Sequence, residues 1–358
     1  MKIDVYAHIC PQKFIDAFAK QAVSWETVAK TSPVFGRPAL WDINKRLEVM
    51  DRYEDYVQLL VPSGQVVEPF FSPKDTAYLA QIFNDAMAEL INKYPDKFVG
   101  AVATLPLNNI DAALKEIDRV INELGFKGIL IHTPIFIYEE GRPIELGYNY
   151  GTMKPIDSPE LMPIYESMSQ HNLPIWIHPV GQGGVPVYSG EERGKYALSH
   201  VFGWPLESAV AMGRLVCSGI LTKYPNLRFI VHHCGSGIVP ALAGRIDNEF
   251  DKFRFAGLLK WDRPGEEDPF RTKRAVDYFR MFYADTALYG GVSGLMCGHD
   301  FFGAEHIVFG TDFPYDSASG DKFIKKTIDA IYRMTVSDAD KKRIFEDNAK
   351  RILHLDIQ

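Results

Sequence analysis

Six side chains in this sequence are of the types that hold metal ions or move protons, and they share one kind of position. His8, His132, His178, His233, Asp285 and Asp312 each close a short apolar run. Met1 to Ile9, for example, reads MKIDVYAHI, with Ile3, Val5 and Ala7 alternating before His8. One histidine ending one run proves nothing. Of ten histidines in the chain, however, four stand in this place, which core filling does not readily explain. Imidazole nitrogens with a carboxylate suit one divalent metal ion, Zn²⁺ first and Mn²⁺ or Mg²⁺ as alternatives, with a coordination position open to water or substrate.

The positioning elements follow from periodicity. Strands are predicted at 1–9, 56–62, 98–103, 127–132, 173–178, 227–233, 281–285 and 306–312. Helices are predicted at about 44–51, 72–93, 109–124, 158–170, 205–223, 320–333 and 337–353, with Ser158 as an N-cap. Strands alternating with helices predict an α/β chain whose parallel sheet closes as a (β/α)8 TIM barrel, and the carboxyl ends of such strands converge on one mouth. The rival, an open doubly wound sheet, lacks its signature, since no GxGxxG follows the first strand. One domain is expected over 1–358, with a long loop at about 133–157 and a charged insertion at about 251–275. His232 is expected to point away from His233, because strand neighbours face opposite sides. His171, His200, His299, His306 and His354 have no constellation around them.

Composition narrows the function. The chain has 358 residues, 46% of them hydrophobic, enough for a large core, and its net charge of -7 with no basic stripe argues against nucleic acid. Cys10, Cys217, Cys234 and Cys297 are scattered without a CxxC pair, as expected of reduced thiols in a cytoplasmic protein. The amino-terminal residues lack the organisation of a signal peptide, and no apolar run approaches the length of a membrane span. A soluble protein with a small-molecule substrate is expected.

The sequence also resembles a known family. MKIDVYAHI, the histidine of PIWIHP, RFIVHHCGSGIVP, GTDFPY and FEDNAKRILHL are similar, in order and along nearly the whole chain, to segments of the amidohydrolase superfamily. The branch is that of aminocarboxymuconate-semialdehyde decarboxylase and the hydroxybenzoate decarboxylases. The resemblance implies a metal held by His8, His178 and Asp312, with His233 as a nearby acid–base group or additional ligand, and a barrel that dimerises or forms a higher homo-oligomer. It implies non-oxidative decarboxylation of an aromatic or conjugated carboxylic acid, with His233 and Asp312 managing the proton. Hydrolysis of a C–C bond, lactone or amide is the first alternative, and a metal-free binding protein the second.

Tyr6, His132, Trp204 and Arg245 are expected on the substrate side, and Asp285 behind a ligand as its orienting partner. Arg245, in GRIDN, lies where related decarboxylases carry an arginine able to clamp a carboxylate; the alternative is a pair with Asp247. Arg46 resembles an arginine that precedes a Met-Asp pair in the family, but a surface or structural salt bridge is the expected role. Tyr6 departs from the pattern, since family members carry His or Glu two residues before His8. That leaves a metal site of fewer protein ligands, a bound tyrosinate, or a site without metal.

Overall fold

A computed structural model describes residues 1–21, 36–63, 67–138, 140, 152–180, 196–256, 270 and 273–357. The apolar runs are strands β1 (Lys2–Ile9), β2 (Tyr56–Pro62), β3 (Phe98–Ala101), β4 (Ile129–Thr133), β5 (Ile175–Pro179), β6 (Phe229–Val231), β7 (Tyr283–Asp285) and β8 (Ile307–Val308). β1 to β3 form one parallel sheet and β4 to β8 another, each in chain order. Two seams join them. Between β3 and β4, Lys127 N donates to Ala101 O and Leu130 N to Ala103 O, both at 2.8 Å. Beyond β8, Val5 N donates to Phe309 O (2.9 Å), Asp312 N to Tyr6 O (3.1 Å) and His8 N to Phe313 O (2.7 Å). The strands thus close on themselves as a (β/α)8 barrel, in which each of the two parallel sheets has its edges met by the other.

Alternation along the strands sorts apolar side chains into two cores. Ile3, Val5, Leu59, Val61, Val102, Leu130, Trp176, Ile230 and Val308 pack together inside the barrel. Ala349, Ile352 and Leu353, on the helix Asn348–Leu353, join that cluster. Residues one step away, such as Leu60, Ile131, Ile177 and Val231, pack in the other cluster with the helices. β1 breaks this rhythm. Its pairing with β2 shifts between Asp4 and Ala7, where the three steps of β1 meet only two of β2, from Gln58 to Leu60. Such a bulge reverses the facing of everything after it. Ala7 and Ile9, which simple alternation would align with Val5, therefore pack outside, and Tyr6 joins the interior.

Local signals explain most element ends. Ser72 and Asn109 accept hydrogen bonds from Asp75 N and Ala112 N and so cap the helices Pro73–Lys93 and Ile110–Asn122. Ser158 makes no such bond; a short 3₁₀ turn, Pro159–Leu161, precedes the helix Met162–His171. The single helix expected at 205–223 is two, Trp204–Cys217 and Ile220–Lys223, parted at Gly219. Of the expected loop at 133–157, residues 139 and 141–151 lie outside the described residues, while Ile135–Phe136 pairs antiparallel with Met153–Lys154. Of the expected insertion at 251–275, residues 257–269 and 271–272 lie outside them, and residues up to Phe255 continue the helix Ala243–Phe255. Among the described residues no helix is long and apolar enough to cross a membrane.

Glu68, just beyond β2, is buried, and burial pushes its carboxyl up from 4.5 to about 7. A raised acid favours its protonated form on folding. Its stabilising contribution is full below pH 4.5 and is lost as pH rises through about 7. Glu68→Gln is therefore expected to unfold in urea like the parent at pH 4.5, but at pH 8 to be more stable by up to about 3 kcal/mol. Equal stability of the two proteins at pH 8 would refute this.

Candidate active site

The mouth of the barrel is formed where β1, β5, β6 and β8 end. His8 and His178 are buried at their strand ends, and their ring centroids lie 5.1 Å apart. His8 Nδ1 is 2.9 Å from Pro62 O, and His178 Nδ1 is 2.5 Å from Pro179 O. A carbonyl can only accept, so each Nδ1 carries the proton and each Nε2 the lone pair. Asp312, at φ 63 in the GTDFPY turn, places Oδ1 3.4 Å from His8 Nε2 and 3.2 Å from His232 Nε2. Its Oδ2 accepts from Tyr289 Oη at 2.8 Å.

The structure corrects the expected placement of His232. β6 ends at Val231, and His233, Cys234, Gly235, Ser236 and Gly237 all take positive φ between 57 and 68°. Period-two facing holds only for extended backbone, so His232 and His233 both turn to the mouth with ring centroids 3.9 Å apart. Left-handed backbone costs roughly 1–2 kcal/mol per non-glycine residue. Asp285 offsets part of this, its Oδ1 accepting from Cys234 N (2.9 Å) and Ala287 N (3.0 Å). At Gly235 the turn admits no side chain, because a Cβ there would lie 2.5 Å from the Phe302 ring.

Asp285 also binds His232 Nδ1 through Oδ2, in a pair with no exposure to solvent. Burial alone would lower the His232 pKa, but this carboxylate and Asp312 push it up to about 9. Burial alone would raise the Asp312 carboxyl, yet the close approach of His232 and His8 holds it well below its usual range. Burial and the neighbouring His232 lower His233 to about 4, and burial with His8 does the same to His132. At neutral pH, His132 and His233 are thus neutral, and Asp312 is ionised.

The donor set fits a divalent cation. Ligand atoms of His8, His178 and His232 all lie within 4.8 Å of one another, as do those of His232, His233 and Asp312. Although buried, His8 Nε2 and His232 Nε2 have no hydrogen-bond partner among the described residues. Orphaned imidazole nitrogens at that separation, facing one ionised carboxylate, are what a bound cation would satisfy.

Other expected residues divide. His132 and Trp204 lie near His178, with ring centroids 5.7 and 5.6 Å from it, and His132 Nε2 and Trp204 Nε1 have no hydrogen-bond partner among the described residues. Arg245 is not brought into the cluster; it stands exposed on the helix Ala243–Phe255, and Asp247 meets Arg274 at 3.4 Å. Tyr6 lies inside but is turned away from solvent, its Oη donating to Ile177 O at 3.1 Å. Burial, Asp285 and Asp312 push its phenol well above 10, so it is not a tyrosinate by itself.

Sequence reasoning missed Asp4, Gln58, Tyr289 and the role of Arg46. Asp4 is buried and accepts from Thr311 Oγ1 (2.5 Å), Tyr56 Oη (2.6 Å), and Tyr6 N and Thr311 N (both 3.1 Å). It thereby ties β1 to the GTDFPY turn. Among the described residues Arg46 forms no salt bridge, and it is not on the surface. It is fully buried and donates to Gln58 Oε1 (2.7 Å), His8 O (2.7 Å), Ala7 O (3.2 Å) and Ala39 O (3.4 Å). The His-His doublet was a visible signal for His232; nothing near Tyr289 in sequence marked it.

Fold and site together define an α/β-barrel protein with a histidine and carboxylate cluster at the carboxyl ends of its strands. Residues 3–355 match the family described as Amidohydrolase, and the chain belongs to that family. It is 28% identical to gamma-resorcylate decarboxylase of Rhizobium radiobacter, over 87% of this chain and 86% of the relative. It is 24% identical to 2-amino-3-carboxymuconate-6-semialdehyde decarboxylase of Dictyostelium discoideum, over 99% of this chain and 92% of that one. Among solved structures, dihydroxybenzoic acid decarboxylase from Polaromonas sp. JS666, with bound manganese and the inhibitor 2-nitroresorcinol, superposes with a TM-score of 0.75. It is 25% identical, covering 100% of this chain and 98% of that one.

Proposed function

We propose that this protein is a metal-dependent, non-oxidative decarboxylase of an aromatic hydroxy acid or similar conjugated carboxylic acid. The observation that carries this reading is the meeting at the barrel mouth of His8 with His178 on one side and with Asp312 at 3.4 Å on the other, in a chain similar over most of its length to gamma-resorcylate and aminocarboxymuconate-semialdehyde decarboxylases. His8, His178 and Asp312 are the proposed ligands. Zn²⁺ is the proposed ion, since imidazole and carboxylate suit it, and the Polaromonas relative makes Mn²⁺ the alternative. When bound, the ion would supply a fixed positive charge that orients the substrate oxygens and stabilises charge developing on the ring.

The chain's own groups do the rest. His132 Nε2 and Trp204 Nε1, both near His178 and without a partner among the described residues, are the proposed contacts to substrate oxygens. His233 commits Nδ1 to Ala287 O (3.1 Å), which leaves Nε2 to take up a proton and pass it to the ring carbon. The C–C bond then breaks, its electron pair returns to the ring, and CO₂ leaves. Asp285 holds the turn that carries both histidines. Tyr289 steadies Asp312, and Tyr289→Phe is expected to lower kcat about tenfold with KM little changed, as for loss of one hydrogen bond to a charged group. A rise in KM alone would place Tyr289 with substrate binding instead.

The test is CO₂ release from a panel of hydroxybenzoates by metal-loaded protein. Absence of CO₂ from every carboxylate, with water-dependent cleavage of lactones or diketones, would replace the lyase reading with hydrolysis. We place the protein in the cytoplasm, where its four free cysteines would stay reduced. We also propose a homodimer, supported by Phe202, Leu206 and Val210, which stand exposed at helical spacing beside exposed Val201. Sedimentation of Phe202→Glu is expected to show a shift from dimer to monomer, and an unchanged sedimentation coefficient would count against this face.

A further inference from the structure

We infer that His232 is itself a metal ligand, completing with His8, His178 and Asp312 a set of three imidazoles and one carboxylate, while Tyr6 is a wall that fixes its ring rather than a ligand. This rests on the metal-site reading above and goes further by assigning the donor that position 6 does not provide.

The bulge in β1 turns Tyr6 into the barrel, but its oxygen is already engaged as a donor to Ile177 O at 3.1 Å. What Tyr6 offers the site is its face. The phenol ring stacks on the His232 imidazole with centroids 3.6 Å apart and planes 10° from parallel. This stacking leaves the imidazole one plane in which to lie. Within that plane the rotation is set by Asp285, whose Oδ2 takes the Nδ1 proton while its Oδ1 is held by two backbone N–H groups. A carboxylate behind a histidine holds the Nδ1 proton and raises the basicity of the far nitrogen, where a bound ion would take the place of the proton, the usual support of a metal-bound imidazole.

The far nitrogen, His232 Nε2, is buried without a hydrogen-bond partner among the described residues. It lies 3.2 Å from Asp312 Oδ1 and within 4.8 Å of donors on both His8 and His178. His233 is placed differently. Among the described residues its donor groups with those of His232 and Asp312 but not with the set containing His8 and His178, and no carboxylate stands behind its Nδ1, which meets Ala287 O. The two adjacent histidines thus have separate duties, one to the ion and one to the substrate's proton.

The test is metal binding without substrate. Chelator-stripped wild type, His232→Ala, Tyr6→Phe and Asp285→Asn are titrated with Co²⁺, whose visible absorption reports the donor set, and Zn²⁺ affinity is measured by competition. Expected results are one ion per wild-type chain, wild-type affinity for Tyr6→Phe, and affinity about 10–100-fold weaker for Asp285→Asn, with His232→Ala weaker still. Wild-type affinity and spectrum for His232→Ala, or a loss in Tyr6→Phe as large as in His232→Ala, would overturn the inference. Should His232→Ala fail to fold by circular dichroism, Tyr6→Phe and Asp285→Asn decide in the same way. Metal bound through His232 with no CO₂ from any carboxylate would overturn the decarboxylase reading alone. A wild type that takes up neither ion overturns both.

Discussion

Asp312→Asn is expected to lower kcat for decarboxylation about 10³-fold, or ~4 kcal/mol in the barrier, while leaving a folded protein. Asp312 is the carboxylate whose oxygen approaches both His8 Nε2 and His232 Nε2. It is ionised through the neutral range because its histidine neighbours hold its pKa well below the usual value. An asparagine keeps the backbone bond to Tyr6 O and an oxygen for Tyr289, so the turn survives. It removes the charge that both a cation and a proton relay need, and it can present N–H groups to imidazole lone pairs. Steady-state kinetics and metal content of the variant measure the effect. A kcat within about tenfold of wild type would remove Asp312 from the proposed chemistry, since a proton-transfer group is worth more than that.

The second large effect is on stability. Arg46→Met is expected to destabilise the barrel by about 4 kcal/mol, a large share of the total stability of an ordinary domain. Methionine fills the volume between Phe98 and Phe313, whose rings lie 5.7 and 4.7 Å from the guanidinium carbon. It satisfies none of the four acceptors that Arg46 serves. Burial does penalise the guanidinium, whose pKa falls to about 10, and removing the charge returns part of that cost. Four orphaned acceptors at roughly 1–3 kcal/mol each outweigh it. Arg46→Lys is expected to recover only part of the loss, because an ammonium lacks the planar fork that spans both Ala7 O and His8 O. Urea unfolding with equal midpoints for Arg46→Met and wild type would show that β1 is held by other contacts.

The same residues show how much could be read in advance. The strand positions came from apolar runs, and Ser72 and Asn109 cap helices as their types suggest. Ser158 does not, because Pro159 at once leads the chain into a 3₁₀ turn. The helix expected to run to Lys223 breaks because Gly219, at φ 75, takes a conformation that parts two helices. Arg245 looked like a carboxylate clamp in sequence, yet it stands exposed on its helix. A motif fixes a residue's address along the chain, and facing depends on how the helix packs.

By itself the sequence determined which polar residues close the apolar runs, and the parallel order that sends those ends to one mouth, because both follow from local periodicity and from helices between strands. It did not determine that β6 stops at Val231 and β8 at Val308, leaving His233 and Asp312 in the turns beyond. Only the tertiary structure decided which of those side chains meet. In β1 a bulge reverses the alternation, turning Tyr6 inward and Ala7 outward. In the turn after β6, positive φ angles bring His232 beside His233 instead of opposite it. Both deviations coincide with buried carboxylates that accept main-chain N–H groups, Asp4 at the first and Asp285 at the second. Asp4 reaches Thr311 across the barrel seam, and Asp285 reaches Cys234 from the next strand. Such contacts join residues far apart in the chain, so no local pattern could have announced them.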